Sequence, residues 1–394
     1  MTYFNRTKRI IYIILVLTIF GVVGFILYRL LTPAAPSAPQ APTGITGRPI
    51  DGALPGGAPA GERASGIPPL PDLPSIAEQK LVRLTDFAVI SPSLNKTEDK
   101  ILFYKKDGGD LLVSDLGGSS QQKLSNLTII GLTEAVWAPA RDRAAVFYLD
   151  SGAVRGFLHI GTSTVSLLPA DITSAAWSPD GKSFAYTRKE SDDLVLVISD
   201  AAGKNPRAVF KTPVLDAHIR WISADRIAFA TPPSGLAEGY AFIYSRASGI
   251  VQKVLGPVFG LQTLWSPAAS RVLISSTPRG GGRLNLAIYD PAERKSQGLA
   301  VASFADKCAW GSEEEIWCAA PRNLASASLL PDQYLTGEFH TSDRIVRIEL
   351  KTNGVEEIFG EGDFDMENPI LTKDKKYLFF VNRGDGTLWS LKLE

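Results

Sequence analysis

Beyond residue 78 the chain is built from short apolar runs of strand length, each closed by turn residues, and no run keeps a helical period for long. Tryptophans at 137, 177, 221, 265 and 310 mark the rhythm, with gaps of 40, 44, 44 and 45 residues. Around Trp177 the run Ala175-Ala176-Trp177 is stopped by Ser178-Pro179, because proline cannot donate to a continuing ladder. Asp180-Gly181 then offers the positive φ angles of a two-residue hairpin turn. Phe184-Ala185-Tyr186 reads as a second strand, Leu194 to Ser199 as a third and Ala208-Val209-Phe210 as a fourth. Four strands recurring every 40 to 45 residues predict the blades of a β-propeller.

The string WSPDGKSFAYTR, residues 177–188, resembles the WD40-like PD40 repeat of TolB-type propellers and of the N-terminal propellers of the dipeptidyl-peptidase family. Trp137-Ala138-Pro139 and Trp265-Ser266-Pro267 keep the tryptophan and proline but lose Asp-Gly, whereas Trp221-Ile222-Ser223 and Trp310-Gly311-Ser312 keep little beyond the tryptophan. The resemblance implies a propeller. It carries over no peptidase activity, because in that family the serine nucleophile sits on a separate hydrolase domain and this chain is expected to end with its propeller.

Two further blades lack the tryptophan at the anchor position. One starts at Ile90-Ser91-Pro92; the other holds Ile370, Tyr377 to Val381 and Leu388 to Leu393, one strand short of four. Residues 79–84, Gln-Lys-Leu-Val-Arg-Leu, resemble an outermost strand without a blade of its own. They are therefore expected to complete the last blade, closing a seven-bladed, all-β propeller over residues 76–394 and removing its open edges.

The first 75 residues read differently. Ile10 to Leu31 is an uninterrupted apolar run except for Arg29, and as a helix it would rise about 33 Å, enough to cross a hydrocarbon core of about 30 Å. A transmembrane helix is expected over 10–32, following a cytoplasmic N-terminus, 1–9, that carries Arg6, Lys8 and Arg9. A cleaved secretory signal is the competing reading. Residues 33–75 hold eleven of the 26 prolines and no aromatic residue, and are expected to be a disordered Pro-rich linker. The cell membrane is thus the first expected partner: a single-pass protein, its propeller outside the cytoplasm.

The whole chain balances 41 basic against 41 acidic residues, and the part after residue 75 is faintly acidic. With no clustered Lys and Arg interleaved with aromatics, nucleic acid is excluded as a partner. Two cysteines and three scattered histidines, His159, His218 and His340, give no metal motif, and no phosphate cradle or nucleophile elbow appears, so neither cofactor nor metal is expected. Cys308 and Cys318 flank a turn in the sixth blade, where a cross-strand disulfide and two buried free thiols are both open readings. The same blade carries an insert of about 15 residues between its second and third strands. Its Arg322, Asp332, Tyr334, Phe339 and His340 are the candidate partner-binding residues, against the plainer reading of a loop packed on its own ring. The sequence thus favours a non-catalytic interaction or scaffold module binding another envelope protein or a cell-wall component. The alternative is an enzyme working in the propeller channel, a metal-dependent hydrolase or a glycan-active protein.

Overall fold

A computed structural model of the chain describes residues 80–393 except 162–163, 215 and 325–326. Seven antiparallel four-stranded sheets make up the described part, each with its strands in chain order from the inside outward. The last is the exception: its outermost strand is Leu81–Arg83, paired with Thr387–Lys392 through Leu81–Leu391, Val82–Ser390 and Arg83–Trp389. The N-terminal strand closes the ring as the sequence implied.

Blades stack face on face, which is why a middle strand such as Ser183–Glu190 buries four consecutive residues instead of alternating ones. Ala145, Phe147 and Leu158 of blade 2, for example, pack against Ala175, Trp177 and Phe184 of blade 3. At the closure, Val89, Ile101 and Phe103 of blade 1 meet Phe379, Val381 and Leu388 of blade 7. The repeating tryptophans add polar stitches between blades: the Nε1–H of Trp137 donates to Ser91 O at 2.8 Å, that of Trp177 to Val136 O at 2.9 Å and that of Trp310 to Leu264 O at 3.2 Å.

Trp221 breaks the pattern, since its buried Nε1 has no hydrogen-bond partner among the described residues. Trp177 and Trp221 are equally buried, each 6% exposed, so replacing each by phenylalanine isolates the indole N–H. Trp177→Phe should cost about 1 kcal/mol more than Trp221→Phe in urea unfolding, the usual net worth of one hydrogen bond. Equal costs would show that the inter-blade bond contributes nothing.

The turn after Trp177 differs from the two-residue form expected. Ser178 N bonds Ser183 O, and within this longer loop only Gly181 takes a positive φ, +69°. Asp180 is a turn residue: its carboxylate accepts from Ser178 Oγ and Lys182 N, which holds its pKa below the usual range. Blades without Asp-Gly place other residues in the same left-handed conformation after the inner strand: Glu98, Arg141, Ala269 and Lys375.

The expected membrane helix at 10–32 and linker at 33–75 lie outside the described residues. Among the described residues no helix is long and apolar enough to cross a membrane. A membrane partner and a single-pass location at the cell membrane find no support among the described residues, and this correction to the expectation means that neither is carried forward.

Candidate active site

The inner strands surround a central channel of about 780 Å³. Register decides what it contains. The third residue before the repeating inner-strand tryptophan is polar in all five blades that carry it: Glu134, Ser174, His218, Gln262 and Lys307. Glu134 lies on the inner strand Leu132–Trp137 of blade 2, and His218 and Arg220 lie two apart on the inner strand His218–Trp221 of blade 4, so both of the latter face one side of their sheet. All three line the channel, as do Asp306 and Glu367 on the opposite wall, and Trp137, Trp265 and Trp310 contribute apolar edges.

These charged groups are open to channel water yet ringed by protein, so they lose part of their hydration. Burial pushes the Glu134 carboxyl above its ordinary pKa, with His218 pulling the other way. It likewise raises Asp306 and Glu367, opposed by Lys307 and Arg383 respectively, and lowers Arg220.

Two of the carboxylates are already engaged: Asp306 accepts from Gln262 Nε2 at 3.0 Å, and Glu367 pairs with Arg383 at 3.8 Å. Among the described residues, the side chains of Glu134, His218 and Arg220 make neither hydrogen bond nor ion pair beyond the attraction between the first two. An acid with a raised pKa, an imidazole and a guanidinium therefore share one cavity, each free to meet a ligand.

The insert in blade 6 packs onto the ring. The helix Asp332–Thr336 is held by Asp332, whose carboxylate accepts from Ser234 Oγ and Gly235 N, both at 2.7 Å, on a loop of blade 4. Tyr334 is buried, stacked on Phe304 at 4.5 Å with Arg383 4.1 Å from its ring centre, and its hydroxyl donates to Asp365. Phe339 packs against the same small core, Arg322 donates to Gly360 O, and His340 is exposed with Nδ1 3.4 Å from Asp365. The run Gly280-Gly281-Gly282 lies beneath the insert, where a Cβ on Gly281 would stand 2.8 Å from Leu329 Cα. Asp332, Tyr334 and Phe339 thus hold the insert in place. Arg322, Asp332, Tyr334, Phe339 and His340 all lie outside the channel lining.

Cys308 and Cys318 sit directly opposite each other on the first two strands of blade 6 and form a disulfide, S–S 2.11 Å. The hairpin between them turns at Glu313-Glu314, with an irregularity at Gly311.

No family model and no curated protein matches the sequence. Solved structures do. An oligogalacturonate lyase in complex with manganese superposes with a TM-score of 0.59 at 14% identity, covering 80% of this chain and 93% of that one. The oligogalacturonate lyase of Vibrio parahaemolyticus gives 0.56 at 9% identity, with the same two coverages. The acylaminoacyl peptidase of Pyrococcus horikoshii gives 0.51 at 12%, covering 75% of this chain and 48% of that one. At such identities the likeness is one of fold. Lyases and peptidases both contain this fold, so the non-catalytic scaffold expectation is corrected to the extent that the fold does not favour it, and it is not carried forward.

Manganese finds no counterpart here. Among the described residues no three His, Cys, Asp or Glu side chains could hold one ion, and the three histidines lie on blade 2, blade 4 and the insert of blade 6. The residues present do not fit the metal, and no step below uses one.

Proposed function

We propose that the protein is a glycan-active enzyme that cleaves a uronate-bearing oligosaccharide in the central channel by acid–base chemistry. The observation that carries this reading is the trio of uncommitted channel groups, Glu134, His218 and Arg220, opposite carboxylates that are already paired. The lyases with the same fold act, by name, on an oligogalacturonate.

Elimination from a uronate needs three things. A cation must neutralise the carboxylate so that the adjacent C–H becomes acidic, a base must take that proton, and an acid must protonate the departing glycosidic oxygen. Arg220 offers a planar fork suited to a carboxylate. His218, two residues away on the same face, takes the proton. Glu134, kept protonated to higher pH by its surroundings, gives one to the leaving oxygen as the C–O bond breaks and the double bond forms. No water is consumed.

The test is a panel of neutral and uronate oligosaccharides incubated with the purified chain and scored for unsaturated product ends. Uronate oligomers should be cleaved and neutral ones left intact. Arg220→Gln should raise KM for the cleaved substrate by about tenfold or more, the scale of one lost charge-assisted contact. Failure to cleave any uronate oligomer would overturn the reading.

A further inference from the structure

Lys307 lies in the short 3₁₀ turn Ala305–Lys307, immediately before the inner strand of blade 6, and is 1% exposed. Its Nζ is 2.6 Å from Asp343 Oδ2, 2.8 Å from Asp365 Oδ1, 2.7 Å from Thr341 Oγ1 and 2.9 Å from Met366 O. Asp343 is fully buried and Asp365 nearly so, and the ring of Tyr334 covers the ammonium at 5.0 Å. One buried cation thus faces two buried carboxylates, an arrangement whose desolvation cost the attraction between them repays poorly. Asp343 is also unevenly satisfied. Its Oδ2 takes hydrogen bonds from Lys307, Thr341 Oγ1 and Met366 N, the last at 2.7 Å, whereas its buried Oδ1 has no partner among the described residues.

We propose that this cluster is a self-modification site in which Lys307 and Asp343 condense to an isopeptide bond, with Asp365 as the proton carrier. The ion pair is the reactant state. Lys307 passes one proton to Asp343, which leaves a neutral amine beside a neutral carboxyl group. The amine lone pair attacks Cγ and the C–N bond forms. Asp365 carries a second proton from nitrogen to Oδ1, the Cγ–Oδ1 bond breaks and water departs. The amide keeps Oδ2, already polarised by the Met366 N–H, and nothing is oxidised or reduced. The two carboxyl groups suit their separate parts: burial raises the pKa of Asp343, favouring the neutral electrophile, whereas for Asp365 burial is outweighed by the Lys307 charge together with the hydrogen bonds from Lys307 and Thr341, which favour the anion that collects a proton. The product exchanges a buried ion pair for a neutral amide, and it closes a covalent loop from residue 307 to 343 around the whole insert.

The experiment is mass spectrometry of the full chain after reduction and denaturation. The wild type should weigh one water molecule less than its sequence, and a digest should contain a branched peptide joining Lys307 to Asp343. Lys307→Ala and Asp343→Ala should each restore the full mass. Asp365→Asn, checked by circular dichroism for retained fold, should lose the deficit as well. A wild type at full sequence mass overturns the proposal without reference to any variant's folding. A deficit that persists in Lys307→Ala overturns it equally, and one that persists in Asp365→Asn removes the proton-carrier role.

Discussion

Deleting residues 80–86 from the full chain should lower the unfolding free energy by about 6 kcal/mol and make the protein prone to aggregate. The loss comes from two sources. Leu81, Val82 and Leu84 are half-buried against blades 7 and 1 and contribute about 1 kcal/mol each. The segment also supplies the bonds Leu84 N to Leu388 O at 2.8 Å, Lys392 N to Lys80 O at 2.7 Å and Leu388 N to Thr85 Oγ1 at 3.0 Å, at about 1 kcal/mol each. Against a typical domain stability of about 5–15 kcal/mol this is a large fraction. The aggregation has its own cause, because Thr387–Lys392 would then present an unpaired edge of six residues. A deletion variant that melts like the wild type and does not aggregate would show that the ring is held by its blade faces alone.

The second large effect concerns catalysis. Glu134→Gln should reduce kcat by about 10²–10⁴-fold, the usual contribution of a general acid, with KM little changed. Glutamine keeps the shape and cannot give up a proton. Stability should hardly move, because Glu134 makes no hydrogen bond among the described residues and faces channel water. Glu367→Gln is the control of opposite character. It weakens the pair with Arg383, whose guanidinium also covers Tyr334, so its effect should appear in stability and in the packing of the insert. Equal losses of kcat in the two variants would mean that the channel tolerates no change of charge, and that Glu134 has no special part.

The fold was far more legible than the site, and the reason is physical. Inter-blade packing demands a large side chain at one position of every blade, so Trp137, Trp177, Trp221, Trp265 and Trp310 repeat where the eye can find them. Turn chemistry was less dependable. Where Asp-Gly is missing the loop survives by placing Glu98, Arg141, Ala269 or Lys375 in the left-handed region, a conformation the sequence does not advertise. The channel groups carry no motif because they come from separate blades: Glu134 and His218 are brought together only when the ring closes. One signal was present, the polar residue three places before each of the five repeating tryptophans. Taken as an inward-facing position, it selects Glu134 and His218. The insert is the largest departure from the repeat, and its Tyr334 and Phe339 serve a small satellite core with Leu284, Phe304 and Leu330. Lys307 was hidden for another reason. A lysine beside a tryptophan anchor looks like a solvated residue, and its carboxylate partners lie 36 and 58 positions away.

The account rests on Glu134 acting as the acid of a channel reaction, and a pH–rate profile of wild type and Glu134→Gln on the cleaved uronate oligomer tests this most directly. A general acid works only while protonated, so wild-type kcat should fall as pH rises through the Glu134 pKa. That pKa lies above the unperturbed glutamate value of about 4.3. In Glu134→Gln the residual rate should be low and this descending limb should disappear. A variant that kept both the wild-type rate and the same limb would contradict the account.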